Sequence, residues 1–383
     1  MDADLMIRTA LFLSVLLAPG VGPAATFCVG TPAELAAALQ AAGSNGQNDQ
    51  IRLKTGSYVP PDESGFSLLI DEANTTEISG GWIDLVADCQ LQGSDPRVTS
   101  IEGNDSKRLF RLFLATGNTN GNNINFGNLS FRNGSGAVGS GISPIHLAIP
   151  SNNNIRVLFD RVFFWSNSGD YAGAVAAIGL KRLAIRNSVF MFNEVRETQG
   201  TVAVRLSNDS HRFFFINNTM INNFHSGTQA TRCSGVQLST PSAGTSREAL
   251  IVNSIFWSNS DYDICVPAAV ETHLLHNNYQ QLFGEPLAAS GNLSGNPMLA
   301  PQLNDFTPQP TSPMVNAGLQ EPSTFISDPP TPIEHGWSHG DFDFENHAHP
   351  RVIGGRVDIG AVEASYIDRL FCDGFHLEEA CPE

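Results

Sequence analysis

Asn187-Ser188-Val189-Phe190-Met191-Phe192-Asn193 is the clearest copy of a seven-residue pattern that recurs along the middle of the chain. Related copies begin at Arg161, Asn217 and Asn253, and a looser copy begins at Gly127. The asparagines that close the copies follow one another at intervals of 34, 26, 30 and 36 residues. A repeat of this length on strand-like segments is typical of a stacked solenoid, in which neighbouring repeats bury a shared core.

Each repeat is predicted to contain three short strands. The quoted pattern supplies the third strand, and two apolar runs before it supply the others. The alternative is a β-sandwich of hairpins, which would need two-residue turns at a spacing of about 8–12 residues. The whole three-strand unit repeats instead, which favours the solenoid. The predicted first strands are Ala174–Ile178, Thr201–Leu206 and Gly235–Ser239, and the second are Leu183–Ile185, Phe213–Phe215 and Ala249–Ile251.

Asparagines 187, 217 and 253 stand between the second and third strands. Asparagine tolerates the left-handed backbone that a sharp corner requires, and we expect these amides to hydrogen-bond along the stack. Successive strand residues point to opposite faces, so the third strands carry two columns. We predict that Phe164, Phe190, Met220 and Phe256 fill the core, whereas Trp165, Met191, Ile221 and Trp257 face outward.

The charge balance limits the classes of partner. The chain has 383 residues, of which 15% are charged, and its net charge is −17. Nucleic acid is excluded as a partner because phosphate binding needs clustered lysine and arginine. The acidic surface should also repel a polyanionic glycan unless a divalent cation bridges the two. We expect a monomer without a membrane-spanning segment.

Residues 1–25 are interpreted as a signal peptide. The apolar run from Ala10 to Ala18 is too short to span a bilayer, and small residues precede Ala25, where cleavage is expected.

Six cysteines follow this segment, and an even number in an exported chain favours disulfides. Of the 15 possible pairings, proximity in sequence favours Cys28–Cys89, Cys233–Cys265 and Cys372–Cys381. The predicted location is therefore secreted or at the cell surface.

The mature chain divides into four further segments. Residues 26–103 form an N-terminal cap with the first coils, and Thr31-Pro32-Ala33-Glu34 is a capping box that starts a helix. Residues 104–298 carry the repeats. Residues 299–364 are rich in proline and form an irregular closing region that ends in a strand near Arg351–Glu363. Residues 365–383 are a tail.

Several of these stretches together resemble a known family. Ser79-Gly80-Gly81-Trp82 with Cys89, the repeats, Ser312–Gly318 and Asp358–Glu363 occur in this order. The chain resembles bacterial exported proteins of the choice-of-anchor Q type, which are pectate-lyase-like, right-handed parallel β-helices. The resemblance implies that fold and export, but no single activity. Some β-helix relatives are polysaccharide lyases or hydrolases, and others are adhesin-like surface proteins.

Candidate catalytic residues follow from the lyase relatives, whose cleft lies over the outer face of the first strands. In this chain that face is predicted to carry His146, Arg205 and Gln237. The adjoining loops contribute Asp170, Glu194 and Glu197. Arg205 would act as the base on a uronate, and carboxylates would hold Ca²⁺. The alternative is a surface ion pair of Arg205 with Glu194 or Glu197.

Two further groups of residues are candidates for binding. Asp341, Asp343 and Glu345 alternate like calcium ligands, whereas the alternative is a solvated loop in which Asp341 or Asp343 pairs with Arg351. Trp165 and Trp257, if they face outward, can stack on sugar rings, and Gln237 and Asp170 are the other candidate binding residues. The alternative for both tryptophans is burial under long loops such as 224–234.

The function that fits these observations is a secreted or cell-surface β-helix protein that interacts with glycans or serves as an adhesin. No nucleophile triad, phosphate loop or metalloprotease motif occurs in the sequence. The alternative function is a cation-dependent polysaccharide lyase acting on a uronate-containing glycan.

Overall fold

A computed structural model describes residues 24–85, 88–115, 121–136, 143–151, 153–229, 231–241, 247–302, 304–321, 337–345, 349–353 and 355–364. The tail, the expected Cys372–Cys381 pair and nearly all of the expected signal peptide lie outside these residues.

The described residues form many strands, one α-helix, α1 (Pro32–Ala42), and one 3₁₀ turn (Pro96–Val98). The strands are β1 (Ala25–Val29), β2 (Asp49–Lys54), β3 (Gly56–Tyr58), β4 (Phe66–Ile70), β5 (Thr75–Ile83), β6 (Leu91–Gln92), β7 (Thr99–Glu102), β8 (Phe110–Leu114), β9 (Asn123–Arg132), β10 (Ile145–Ala148), β11 (Arg156–Trp165), β12 (Ser168–Gly169), β13 (Val175–Ile178), β14 (Arg182–Arg186), β15 (Val189–Met191), β16 (Glu194–Val195), β17 (Val202–Arg205), β18 (Arg212–Ile216), β19 (Thr219–Ile221), β20 (Phe224–His225), β21 (Cys233–Ser239), β22 (Glu248–Val252), β23 (Ile255–Trp257), β24 (Tyr262–Cys265), β25 (Glu271–Leu275), β26 (Leu282–Phe283) and β27 (Ala288–Ser290).

These strands pair into three sheets. Sheet 1 has 16 strands and follows the order β1-β2-β5-β9-β11-β14-β18-β22-β25-β27, with β15, β19 and β23 continuing it beyond the corner. Sheet 2 follows the order β26-β24-β21-β17-β13-β10-β8-β4, and sheet 3 consists of β12, β16 and β20. Apart from the antiparallel pair β5–β6, the described strand pairs are parallel. The predicted all-β class is confirmed, with parallel pairing.

Three successive repeats each add a strand to every sheet. One repeat supplies β13 to sheet 2, β14 and β15 to sheet 1, and β16 to sheet 3; the next supplies β17, β18, β19 and β20. Equivalent strands pair directly, as in Val175↔Val202 and Leu183↔Phe213. The three predicted strands per repeat are therefore present, and the short strand of sheet 3 was missed because it contains only two residues.

The corners of the repeat require a left-handed backbone. Asn187, Asn217 and Asn253 have φ of 48°, 53° and 51°, which confirms the expected corner conformation. A second left-handed corner follows each third strand, for example at Phe192, where φ is 56°. Short polar residues and glycine adopt this region most readily, yet Phe192 and Arg161 also adopt it, so the corner conformation is kept even where the local sequence does not favour it.

The buried amide ladder lies at the second corner, and the expectation that it joins residues 187, 217 and 253 is largely wrong. Asn167 Nδ2 donates to Asn193 Oδ1 at 3.0 Å, and Asn193 donates to Asn223 at 2.9 Å. Asn223 donates to Asn259 at 3.1 Å, and each acceptor oxygen also takes the main-chain N–H of the preceding asparagine. The ladder thus satisfies buried polar groups that the turning backbone leaves unpaired.

The asparagines at the first corner instead bind the closing region. Asn187 donates to the carbonyl of His339 at 2.6 Å, Asn217 to that of Asp358 at 3.2 Å, and Asn253 to that of Leu319 at 2.7 Å. Only one weak contact, 3.5 Å from Asn253 to Asn217, joins two of them. These amides point outward at the corner, so an irregular segment can use them as docking points.

The predicted core column is confirmed. Phe164, Phe190, Met220 and Phe256 are each 0% exposed, and the rings of Phe164 and Phe190 stack with centroids 4.2 Å apart. The neighbouring column faces outward but is covered. Phe163, Met191 and the partly buried Trp165 pack with Phe306 and Phe344 of the closing region. Cover over Trp165 is therefore confirmed, although the segment that covers it is not the loop 224–234.

The N-terminal cap follows the sequence prediction. Thr31 Oγ1 accepts from Glu34 N at 3.2 Å, and the Glu34 carboxylate accepts from Thr31 N at 3.0 Å. The helix buries Leu35 and Leu39 in the main core. Two predicted disulfides are present, Cys28–Cys89 and Cys233–Cys265, with Cα atoms 5.7 Å and 6.2 Å apart.

The closing region makes only isolated bridges among its described residues, so the strand expected near Arg351–Glu363 is wrong. Buried polar contacts hold it instead. Arg351 Nη2 lies 2.8 Å from Glu363 Oε1 and donates to the carbonyl of Asp358 at 2.8 Å. The expected pair of Arg351 with Asp341 or Asp343 is therefore replaced by a pair with Glu363.

Replacing Asn193 by alanine should lower the free energy of unfolding by about 2–4 kcal/mol, because the change leaves Asn167 N and the Phe164 carbonyl without their partners. Urea denaturation measures the loss. Asn154→Ala, at an exposed asparagine, is the control and should change stability by less than about 0.5 kcal/mol. Equal losses in both variants would show that the ladder contributes nothing specific.

Phe190→Ala should cost about 3–5 kcal/mol, since a fully buried ring leaves a cavity between Phe164 and the next coil. Phe192→Ala removes the same ring from a side chain that is 37% exposed, and we expect it to cost less than about 1 kcal/mol. Thermal and chemical denaturation of the two variants should give this order, and the reverse order would contradict the register.

Candidate functional site

The outer face of sheet 2, where the lyase cleft was expected, is occupied by a tyrosine. Tyr171 packs on Ala176 and Ala203, which lie between His146 and Gln237 in the same register row. Its phenol hydrogen-bonds with Ser239, and burial raises its pKa. Because His146 and Gln237 are separated by three strand steps, about 14 Å, they cannot contact one small group together.

Arg205 and His146 are in different environments. Arg205 is exposed at the end of β17, beside Ile178 and Ser239 in the ladder. Burial, followed by the charges of Arg108 and Arg111, lowers the pKa of His146 to about 4, so that this imidazole is neutral at neutral pH. The two side chains lie on different rows and on strands two steps apart.

The carboxylates expected near Arg205 have other partners. Glu194 accepts from Ser168 Oγ at 3.0 Å and from Ser226 Oγ at 2.6 Å. Asp170 is 1% exposed and lies 2.8 Å from Arg196 Nε. Glu197 is exposed. No described carboxylate lies within 4.0 Å of Arg205, so the expected ion pair of Arg205 with Glu194 or Glu197 is wrong.

The candidate metal ligands do not converge. Asp341 is exposed, Asp343 accepts from His349 Nδ1 at 3.1 Å, and Glu345 pairs with Arg97 at 2.8 Å. Within the part of the chain that the structure describes, three ligand atoms of the metal-binding type approach one another only at Cys28, Asp84 and Cys89. Both of these sulfurs are in a disulfide.

A polar pocket of 460 Å³ lies where the closing region meets the stack. Its lining includes Arg97, Glu345, His349 and Glu363. Burial raises the pKa of Glu363 to about 8 against the opposing attraction of Arg351, and burial also raises the pKa of Glu345. Arg97 and Arg351 each bind one of these carboxylates, so the polar groups of the pocket serve mainly to join two parts of the chain.

The tryptophans are separated by three strand steps, about 14 Å, on the register Trp165↔Met191↔Ile221↔Trp257. Trp165 packs under the closing region, parallel to Phe163. Trp257 is half-buried and lines a pocket of 380 Å³ with Met298 and Leu299. They therefore do not form one continuous platform.

A groove also lies on the outer face of sheet 1. It crosses β5, β9, β11, β14 and β18 and has a volume of 380 Å³. Its floor is apolar, because Leu158, Ala184 and Ile216 belong to the cluster that also buries Phe214 and Trp337. Its polar lining residues are Thr75, Asn123, Asn125, Arg156, Arg182, Arg186 and Ser338. We refer to this feature as the sheet 1 groove.

The parallel register aligns these polar residues. One row of the ladder runs Thr75↔Asn123↔Arg156↔Arg182↔Arg212↔Glu248. The row is polar at one end, cationic in the middle and acidic at the other end. The Arg212–Glu248 pair, at 2.9 Å, ends the cationic part. The first four residues of this row line the groove.

The charges in the groove influence one another. Burial lowers the pKa of Arg182, and the nearby charges of Arg156 and Arg186 lower it further. The Arg182 guanidinium lies 4.4 Å from the centre of the Phe214 ring. Arg186 contacts Asp160 at 2.8 Å and the carbonyl of Ser338 at 3.3 Å. The lining of the groove contains three arginines and no described carboxylate, although the whole chain has a net charge of −17.

The groove was not predicted from the sequence, although a signal was present. Residues 156, 182 and 212 are separated by 26 and 30 residues, the same intervals as the closing asparagines of these repeats. Alternation with the buried Leu183 and Ile185 also predicts that Arg182 faces outward. What could not be read from the sequence is that residue 338 forms the wall of the groove.

Comparisons with protein-family models, with curated proteins and with solved structures found no match. Among the described residues, no helix is long and apolar enough to cross a membrane.

His339 links the closing region to the first corner and should make stability depend on pH. Its Nδ1–H donates to Asn217 Oδ1 at 2.8 Å, and its Nε2 accepts from Glu321 N at 2.8 Å, so only the neutral ring fits. Burial, then Arg351 and Arg186, lower its pKa to about 3 from 6.5. Between pH 6.5 and pH 3 the unfolded chain therefore binds more protons at this residue than the folded chain does. The free energy of unfolding should fall as the pH decreases through this range.

Urea denaturation of the wild type and of His339→Gln between pH 7.5 and pH 4.5, about one unit above and about two units below the unfolded pKa of 6.5, tests this prediction. The amide cannot titrate, so the stability difference between the two proteins should shrink on acidification, by at most about 1.4 kcal/mol per pH unit. A difference that stays constant over this range would show that His339 is not held neutral.

Proposed function

We propose that the protein is an exported, right-handed parallel β-helix that binds a glycan in the sheet 1 groove and has no catalytic activity. The observation that carries this proposal is the groove itself, in which amide, hydroxyl and guanidinium groups border an apolar floor. Sites for small ligands and sugars commonly combine apolar surface with a few placed polar groups.

The β-helix part of the proposal is supported by the pairing pattern. Equivalent strands of successive repeats pair in parallel in three sheets, as expected when each repeat is one coil. Crossover connections between parallel strands are right-handed in about 98% of cases, which favours a right-handed coil. The resemblance to choice-of-anchor Q proteins points in the same direction.

Export is supported by the cysteines. Cys28–Cys89 and Cys233–Cys265 are disulfides, and the described residues contain no free cysteine. Disulfides persist in oxidising compartments and are rare in the cytosol of most organisms. A secreted or cell-surface location therefore fits both the disulfides and the apolar segment at residues 10–18.

Glycan binding is favoured over lyase activity by the positions of the candidate residues. Arg205, His146, Glu194 and Glu197 have separate environments, and a general base needs its partners within hydrogen-bond reach of one reacting group. The groove, in contrast, offers Asn123, Asn125 and Thr75 as donors and acceptors on adjacent strands. These groups suit the many hydroxyls of a sugar chain.

Purified protein should bind at least one member of a panel that contains laminarin, mannan, dextran, polygalacturonate, alginate and dextran sulfate. Affinity electrophoresis in gels with each polysaccharide measures binding. The double variant Asn123→Ala with Asn125→Ala should weaken binding by about tenfold, since each lost hydrogen bond contributes about 0.5–1.5 kcal/mol.

Gln237→Ala is the matched control, because it removes an amide from the outer face of sheet 2. Retention of binding in this variant is expected. Loss of binding in Gln237→Ala alone would move the site to sheet 2. Absorbance of unsaturated product from polygalacturonate or alginate, with and without Ca²⁺, should stay at background; turnover would support the lyase function instead.

A further inference from the structure

Trp257 differs from the other tryptophans in that its ring is not engaged by the described residues. The other three each contact an aromatic ring or a guanidinium group: Trp82 contacts Arg52, Trp165 contacts Phe163, and Trp337 contacts His339. Within the described part of the chain, Trp257 takes part in no such pair, and its indole N–H forms no hydrogen bond. A half-buried indole is therefore free to contact a ligand.

This indole lines the 380 Å³ pocket between the third strands of the stack and residues 296–300, which we call the Trp257 pocket. Asn296 and Gln309 are its polar lining residues, and the rest of the lining is apolar. The volume lies within the range of about 300–1,000 Å³ that is typical of small-molecule sites. None of the lining residues is ionisable, so charge cannot be the basis of recognition here.

The two polar side chains each keep part of their hydrogen-bonding capacity. Asn296 Oδ1 accepts from Met298 N at 2.9 Å, and Gln309 Nε2 donates to the carbonyl of Leu299 at 2.8 Å. The Asn296 Nδ2 group and the Gln309 Oε1 atom form no hydrogen bond with the described residues. Together with the indole N–H, the pocket thus offers two donor groups and one acceptor beside an apolar wall.

Main-chain hydrogen bonds hold the wall of the pocket in place. Gln309 N donates to the carbonyl of Met298 at 2.8 Å, and Ala300 N donates to that of Thr307 at 2.8 Å. The side-chain bonds of Asn296 and Gln309 lie in the same segment. A site that is already ordered costs less conformational entropy on binding, so even a small ligand can be held.

An uncharged hexopyranose matches these groups best. One face of the sugar ring consists of C–H groups and can lie on the indole, while the hydroxyls both donate and accept hydrogen bonds. A uronate would place a carboxylate in a pocket without a cation, in a chain whose net charge is −17. A purely apolar ligand would cover the amide groups and leave them without hydrogen bonds.

We propose that the Trp257 pocket binds one uncharged hexopyranose residue, which stacks on Trp257 and hydrogen-bonds to Asn296 and Gln309. None of the residues that line this pocket lines the sheet 1 groove, so the two are separate sites. The inference therefore goes beyond the proposed function and does not depend on the groove.

Small ligands of matched size test the proposal. The panel contains the methyl glycosides of glucose, galactose and mannose, those of the corresponding uronic acids, and cyclohexanol, which has the ring size but a single hydroxyl. Quenching of tryptophan fluorescence and saturation-transfer NMR measure binding. At least one methyl hexoside should bind at least about tenfold more tightly than its uronate counterpart and than cyclohexanol.

Two variants address the two kinds of contact. Trp257→Leu removes the ring and should lower the affinity for the methyl hexoside at least about tenfold. Asn296→Asp keeps the acceptor for Met298 N but removes the free N–H donor, and should lower it about threefold to tenfold. Asn296→Asp decides the question if Trp257→Leu lowers the melting temperature.

Matched controls exist for both substitutions. Trp82→Leu removes a ring that Arg52 already engages, and Asn154→Asp changes an exposed asparagine outside the pocket. Both controls should bind the methyl hexoside within about twofold of the wild type.

Equal binding of cyclohexanol or of the uronates would overturn the inference, as would unchanged affinity in Trp257→Leu and Asn296→Asp, or binding of no methyl hexoside. The double variant Asn123→Ala with Asn125→Ala separates this pocket from the groove, because it should bind methyl hexosides like the wild type. Loss of hexoside binding in that variant, with retention in Trp257→Leu, would place the sugar in the groove; the inference would then fail while the proposed function survives.

Discussion

The hydrogen bonding of buried main-chain groups at the sharp corners is the constraint on which the rest of this structure depends. Parallel strands can stack without limit. At the two left-handed corners of each repeat, however, the turning chain leaves main-chain groups inside the corner without partners from the strands. The amide ladder of residues 167, 193, 223 and 259 satisfies them, with donor–acceptor distances of 2.9–3.1 Å. Each asparagine of the ladder binds the equivalent asparagine of the next repeat. The ladder thus holds successive repeats in the register that aligns their outward side chains.

In that register, residues that are one repeat apart in the sequence become neighbours on the same face of the stack. The same alignment places Phe164 on Phe190 in the core and Arg156 beside Arg182 on the outer face. Alignment of the buried rings stabilises the core, whereas alignment of like charges on neighbouring strands is destabilising. The groove is thus the place where the regularity of the fold has an electrostatic cost, and for this reason it is a better candidate for function than the scattered residues of sheet 2.

The closing region decides which outward surface remains accessible. It docks on the first corner through Asn187, Asn217 and Asn253 and covers much of the outward tryptophan column. Its own order depends on buried pairs such as Arg351–Glu363, and on the neutral ring of His339. The arginine row lies beyond this cover, with Ser338 at its edge.

The sequence by itself determined the parallel stack, the left-handed corners, the buried phenylalanine column, the helix cap and two disulfides, because each depends on a local pattern or on a repeat interval. Even the arginine row was readable from the spacing of residues 156, 182 and 212. Only the tertiary structure decided that Tyr171 packs on the outer face of sheet 2, that Asp343 pairs with His349, and that Arg351 pairs with Glu363. Contacts with the closing region join residues that are up to 248 positions apart, as Arg97 and Glu345 are. Irregular segments carry no periodicity from which such partners could be predicted.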